Sequence, residues 1–86
     1  MRAHARYYYR RMSDEQLQET IGNYKNIIED FKEIKPGLVQ KIAEKYYLDL
    51  DNDRNDPVET AYLYQLVIAE LYDRSLYVED IEYILQ

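Results

Sequence analysis

Apolar side chains recur at steps of three and four along most of this chain, a period that specifies helices and leaves little room for strands. Leu17, Ile21, Tyr24, Ile27, Ile28, Phe31 and Ile34 form one such stripe. Ser13-Asp14-Glu15-Gln16 precedes it and reads as a capping box, with the Ser13 hydroxyl accepting from the Gln16 amide and the Gln16 side chain reaching back to Ser13. Asp14 and Glu15 suit the positive end of the helix dipole. Gly22 weakens this helix by about 1 kcal/mol relative to alanine. Lys35-Pro36-Gly37 ends it, because the residue before a proline avoids the helical region.

A second helix is expected from about Pro36 to Leu48, with Leu38, Val39, Ile42, Ala43, Tyr46 and Tyr47 on its apolar face. Proline is tolerated at the first helical position, where its missing N–H would have no partner anyway. The polar stretch Asp49–Asp56 follows as a loop, since Asp and Asn are natural turn formers. Asp56-Pro57-Val58-Glu59 then opens a third helix, with Asp56 as N-cap and Glu59 completing a box. From Val58 to Tyr72 this helix is apolar over much of its circumference, so it should be central and covered on more than one side. Asp73-Arg74-Ser75 is a candidate break, followed by a short helix carrying Val78, Ile81, Ile84 and Leu85. The expected fold is therefore all-α, a small bundle of three main helices plus a short C-terminal helix.

At 86 residues the core of such a bundle is thin, because a chain this size buries only about 60–65% of its unfolded surface. The chain has no cysteine and one histidine, His4. That removes disulfides, thiolate metal sites, a thiol nucleophile and multi-histidine metal sites. Self-association or docking on a partner is the remaining source of extra stability. No apolar run approaches the ~18 residues that span a bilayer, and the N-terminal arginines are not followed by the apolar stretch of a signal peptide. No membrane association is expected, and the reading is cytoplasmic.

Charge divides the chain. Residues 1–11 hold four arginines and no acid, so the other 75 residues hold seven basic and seventeen acidic side chains, a net of −10. The organisation is a basic Tyr/Arg-rich N-terminal arm, residues 1–12, on an acidic helical bundle domain, residues 13–86. There are also eleven tyrosines against one phenylalanine and no tryptophan. So many are expected to leave several half exposed, and tyrosine is enriched at protein interfaces.

The run Arg6-Tyr7-Tyr8-Tyr9-Arg10-Arg11 is the candidate partner-binding segment, together with half-exposed tyrosines of the third helix, Tyr62, Tyr64 and Tyr72. Interleaved basic and aromatic residues can hold single-stranded nucleic acid or a nucleotide by stacking and phosphate contact. The acidic body would repel a phosphate backbone. The alternative is that the arm folds back, or onto another copy, with arginines meeting acids and tyrosines covering helix surface. The acidic body could also mimic DNA and occupy a basic protein groove. The Asp-rich loop fails as an EF-hand in either register, since Arg54 or Asp56 stands where glycine is needed and Thr60 or Tyr62 where glutamate is needed. With no phosphate loop, no paired nucleophile and base, and no expected cofactor or metal, an enzyme is not expected.

Arg11-Met12-Ser13-Asp14-Glu15-Gln16-Leu17 resembles the start of small helical-hairpin checkpoint proteins that inhibit sporulation kinases, over seven residues that are mostly the capping box. In size, acidity and lack of chemistry the chain is similar to accessory proteins of phages and mobile elements. Together these readings lead to the expectation of a non-enzymatic helical protein-binding module, a small regulator or inhibitor of a host protein, forming homo-oligomers. A nucleotide or nucleic-acid binder and an acidic DNA mimic are the alternatives.

Overall fold

The computed structural model describes the backbone of residues 2–85 and the side chains of residues 6–74. Four helices follow in order: α1 (Arg2–Arg10), α2 (Asp14–Ile34), α3 (Pro36–Lys45) and α4 (Pro57–Leu85). The fold is an all-α bundle, with no strand among the described residues. The side chains of His4, and of Val78, Ile81, Ile84 and Leu85, lie outside the described residues.

Local signals set the helix ends. Both halves of the capping box are made: the Gln16 N–H donates to Ser13 Oγ and the Ser13 N–H to Gln16 Oε1, each at 3.1 Å. Lys35, before Pro36, leaves the helical region at φ −135°, and its N–H closes α2 on the Phe31 carbonyl, as the pre-proline restriction requires. At α4 the Glu59 N–H donates to Asp56 Oδ1 at 2.9 Å. Here only the N-cap half of the expected box is seen, because the Glu59 side chain turns to Arg6 instead.

Helix α4 also runs through Asp73-Arg74-Ser75 without interruption, where the sequence suggested a break before a separate short helix. None of the three residues is a glycine or proline. Arg74 Nη2 meets Glu70 Oε2 one turn earlier at 2.9 Å, a pairing that supports a helix rather than ending it.

The core sits along α4, which packs against all three other helices. One cluster joins Ile28 of α2, Val39, Ile42 and Ala43 of α3, Leu48, and Tyr64, Val67 and Leu71 of α4. A second joins Tyr9 of α1, Leu17 of α2, and Ala61 and Tyr62 of α4. Ile21, Tyr24 and Leu63 pack against both. Leu17 lies with Ala61, and Ile28 with Val67 and Leu71, so α2 and α4 run in the same direction. Helix α3 and the loop over residues 46–56 make the return. Of the expected α2 and α3 stripes, Ile27 joins neither cluster, Ile34, beside the α2–α3 corner, is 75% exposed, and Tyr47 is 94% exposed.

Tyr47 is out because α3 stops at Lys45, earlier than its apolar pattern suggested. The Tyr47 N–H donates to the Glu44 carbonyl at 3.0 Å and the Leu48 N–H to the Ala43 carbonyl at 2.9 Å. Those two bonds are a Schellman turn, whose left-handed residue is usually glycine. Here it is Tyr47, at φ 57°. The turn drops Leu48 into the core, 4% exposed, supplying the hydrophobic contact such turns carry, and throws the preceding ring into solvent.

Two opposite substitutions should each raise stability. Gly22 lies inside α2 with no atom within 4 Å of an added Cβ, so Gly22→Ala gains about 1 kcal/mol. Tyr47→Gly relieves the left-handed strain and also gains about 1 kcal/mol. Thermal melts should show each shift as roughly 4–8 °C. A drop in either variant would contradict the geometry on which it rests.

Candidate partner-binding surface

Helical geometry divides the run Arg6–Arg11 into two faces, since residues three apart share a side and their neighbours do not. Arg6 and Tyr9 turn inward. Arg6 grips Glu59 with a fork, Nε to Oε1 at 2.9 Å and Nη2 to Oε2 at 3.1 Å. The same guanidinium lies 4.2 Å from the centroid of the Tyr62 ring. Both side chains of the pair remain about a third exposed, so water screens their attraction and the pair contributes little energy. Its value is as a register pin that fixes how α1 rotates on α4.

Tyr9 is the deeper anchor, 1% exposed. Its hydroxyl lies 2.8 Å from that of Tyr24 and donates to Gln65 Oε1. The Tyr24 ring meets it edge-on, with centroids 6.3 Å apart. Burial, reinforced by the Tyr24 hydrogen bond, pushes the Tyr9 phenol well above the ordinary tyrosine value, so the hydroxyl keeps its proton for these hydrogen bonds.

The remaining residues of the run face water. Tyr7 and Tyr8 are 57% and 60% exposed, and Arg10 and Arg11 are exposed beside them. The Arg11 guanidinium lies 5.6 Å from the Tyr7 ring centroid. A shallow groove of about 530 Å³ runs between this face and the start of α2, lined by Tyr8, Arg11, Met12, Gln16, Glu19 and Thr20.

The α4 tyrosines fall elsewhere. Tyr62 and Tyr64 were expected to be half exposed, but they are 7% and 4% exposed. Two residues apart, they point to nearly opposite sides of α4, and both sides are covered: Tyr62 by the α1–α2 cluster, Tyr64 by the α3 cluster. Burial raises the Tyr64 phenol pKa, with nearby Asp53 adding to the effect. Tyr72 is 51% exposed and sets its ring at 90° to Phe31, 5.1 Å away. It stands at the far end of the α2–α4 contact from Tyr9. The structure thus brings Tyr7, Tyr8, Arg10 and Arg11 together, leaves Tyr72 apart, and removes Tyr62 and Tyr64 from the surface.

In the loop before α4 several acids bind their own backbone. Asp49 Oδ1 accepts the N–H groups of Asp51 and Asn52, and Asp53 Oδ1 that of Asn55. Asp53 Oδ2 also takes the Thr60 hydroxyl at 2.5 Å. Among the described residues no group of three acidic or histidine side chains is placed to hold a metal ion. Glu70, which the sequence did not single out, is the node between α3 and α4. It accepts from Tyr46 Oη at 2.7 Å and Lys45 Nζ at 3.1 Å, and pairs with Arg74. Burial pushes its carboxyl up, but the Tyr46 and Lys45 hydrogen bonds and the Lys45 and Arg74 charges outweigh this and leave it below its ordinary value of 4.5.

Three expectations follow from this geometry. Tyr9→Ala should cost about 3 kcal/mol or more in urea unfolding, while Tyr7→Ala, on the outer face, should stay within about 0.5 kcal/mol. Because the folded Glu70 carboxyl titrates below its unfolded value, its stabilisation is full above pH 4.5 and is lost as pH falls through the folded value. Glu70→Gln should therefore cost about 1–2 kcal/mol at neutral pH, and its melting temperature should fall less steeply than the parent's on acidification below pH 4.5. Parallel acid profiles would remove Glu70 from that role.

No family model matches this chain, and no curated protein or solved structure matches it.

Proposed function

We propose that this chain is a non-enzymatic helical protein-binding module, a small regulator or inhibitor of a host protein of the phage or mobile-element accessory kind, working in the cytoplasm and able to self-associate. The observation that carries the reading is the division of labour within α1. Arg6 and Tyr9 anchor the helix, and Tyr7, Tyr8, Arg10 and Arg11 are held outward on a structured face. Exposed tyrosine and arginine on a fixed helix supply large contact area and charge-assisted hydrogen bonds at little ordering cost, and these residue types dominate interface hot spots. Asp49, Asp53, Asp56, Glu59 and Glu70 are engaged in turns, a helix cap and ion pairs, which fits a structural rather than a chemical use of these carboxylates. No described helix is long and apolar enough to cross a membrane.

The test is a triple variant, Tyr7→Ala, Tyr8→Ala and Arg11→Ala, compared with the parent as bait against a lysate of the source cell. Captured proteins would be identified and affinities then measured on the purified partner. The triple variant should keep its helical circular dichroism and bind the partner at least tenfold more weakly, as loss of a hot spot implies. Fluorescence anisotropy with oligonucleotides separates the nucleic-acid alternative. Tight binding at about 50 mM salt that falls by orders of magnitude at about 200 mM, and vanishes with Arg10→Ala and Arg11→Ala, would replace the protein-binding reading.

A further inference from the structure

Tyr47 combines a strained backbone with an almost fully exposed ring. Its backbone holds the left-handed conformation of a Schellman turn, at φ 57°, where glycine fits best. Its side chain is 94% exposed, so the strain brings almost no packing in return. The Tyr47–Glu44 and Leu48–Ala43 hydrogen bonds lock the turn, so the backbone presents this ring outward from a fixed point beside the loop over residues 48–55. The ring stands on the edge shared by two open grooves. The larger, about 430 Å³, is lined by Leu48 and Leu50 beside the carboxylates of Glu44, Asp49 and Asp51. Its one cation, Lys32, lies 3.7 Å from Asp51, so three carboxylates against one ammonium leave this groove at −2.

We propose that the Tyr47 surface docks an arginine-bearing segment of a partner protein, with a guanidinium over the Tyr47 ring and forked onto the neighbouring carboxylates. Arginine suits the site better than lysine. Its planar head stacks on an aromatic face while its N–H groups pair with carboxylate oxygens, and its methylene stem can lie along an apolar side chain such as Leu50. The surface shares no lining residue with the α1 face and does not depend on the function proposed above.

The experiment uses the full chain and two probe peptides of equal length and charge, one alternating glycine with arginine and one glycine with lysine. Their binding is followed by amide chemical shifts in the parent and in Tyr47→Gly, which keeps the left-handed turn. The arginine peptide should shift amides within residues 44–55 and bind at least about twofold more tightly than the lysine peptide, because only the planar guanidinium can stack on the ring while it forks onto a carboxylate. Tyr47→Gly should lose that preference with no fall in melting temperature. Equal affinity for the two peptides, shifts spread along the exposed acids of α2, or unchanged binding by Tyr47→Gly would each overturn the proposal. So would self-association of the parent alone, in sedimentation, that is abolished both by Tyr47→Gly and by Arg10→Glu with Arg11→Glu. That result would assign the surface to the α1 face of a second copy.

Discussion

Helix α4 is apolar on too many sides to be left against water, and the rest of the molecule is arranged to cover it. Ala61, Val67 and Leu71 have no exposed surface at all, and each of the other three helices contributes to their cover. Burying a large apolar side chain is worth about 1.5–3 kcal/mol, so each uncovered side of α4 would be a large fraction of the few kcal/mol by which a domain this size is stable. The demand for cover explains why α2 runs in the same direction as α4 and needs α3 and an eleven-residue return, 46–56, rather than a tight antiparallel hairpin. It also explains why α1 is helical and docked: without it, the Ala61–Tyr62 side of α4 would face water.

Tyrosine does the work that phenylalanine and leucine do in most small cores, and at Tyr9, the most deeply buried of them, the hydroxyl finds partners. Tyr9 meets Tyr24 and Gln65, and Tyr46 meets Glu70. No buried side-chain polar atom among the described residues is left without a hydrogen bond. A buried hydroxyl without a partner would cost about 1–3 kcal/mol, a penalty these bonds remove at Tyr9 and Tyr46. They add direction to a core that apolar contacts alone would leave free to slide. Tyr9 fixes α1 against both α2 and α4, and Tyr46 with Lys45 fixes the end of α3 to Glu70 of α4.

Charge asymmetry acts through the same contacts. The acidic body meets the basic first segment at the Arg6–Glu59 fork, which is too exposed to contribute much energy but well placed to select one rotation of α1. That rotation puts Tyr9 in the core and turns Tyr7, Tyr8, Arg10 and Arg11 outward. A half-turn error would reverse the assignment, so the identity of the exposed face rests on one buried phenol and one ion pair.

The amino-acid order by itself determined the helical class, the start of α2 through Ser13 and Gln16, its stop at Lys35–Pro36, the N-cap at Asp56 and the central place of α4, because caps, prolines and a 3.6-residue period act locally. It also marked Arg6–Arg11 as unusual without saying which residues of the run would face out. Tertiary structure decided the rest. Tyr62 and Tyr64 look equally suited to a surface but are buried, because α4 is covered on both sides. Glu59 serves Arg6 rather than its own cap, because a cationic fork from α1 competes for it. Asp73–Ser75 continues the helix, since nothing there prevents it and Glu70 holds Arg74. Tyr47 continues the apolar pattern of α3 yet stands in solvent, because burying Leu48 required the chain to turn left-handed one residue earlier. In each case the deciding group lies on another element or across a turn, beyond the reach of any local pattern.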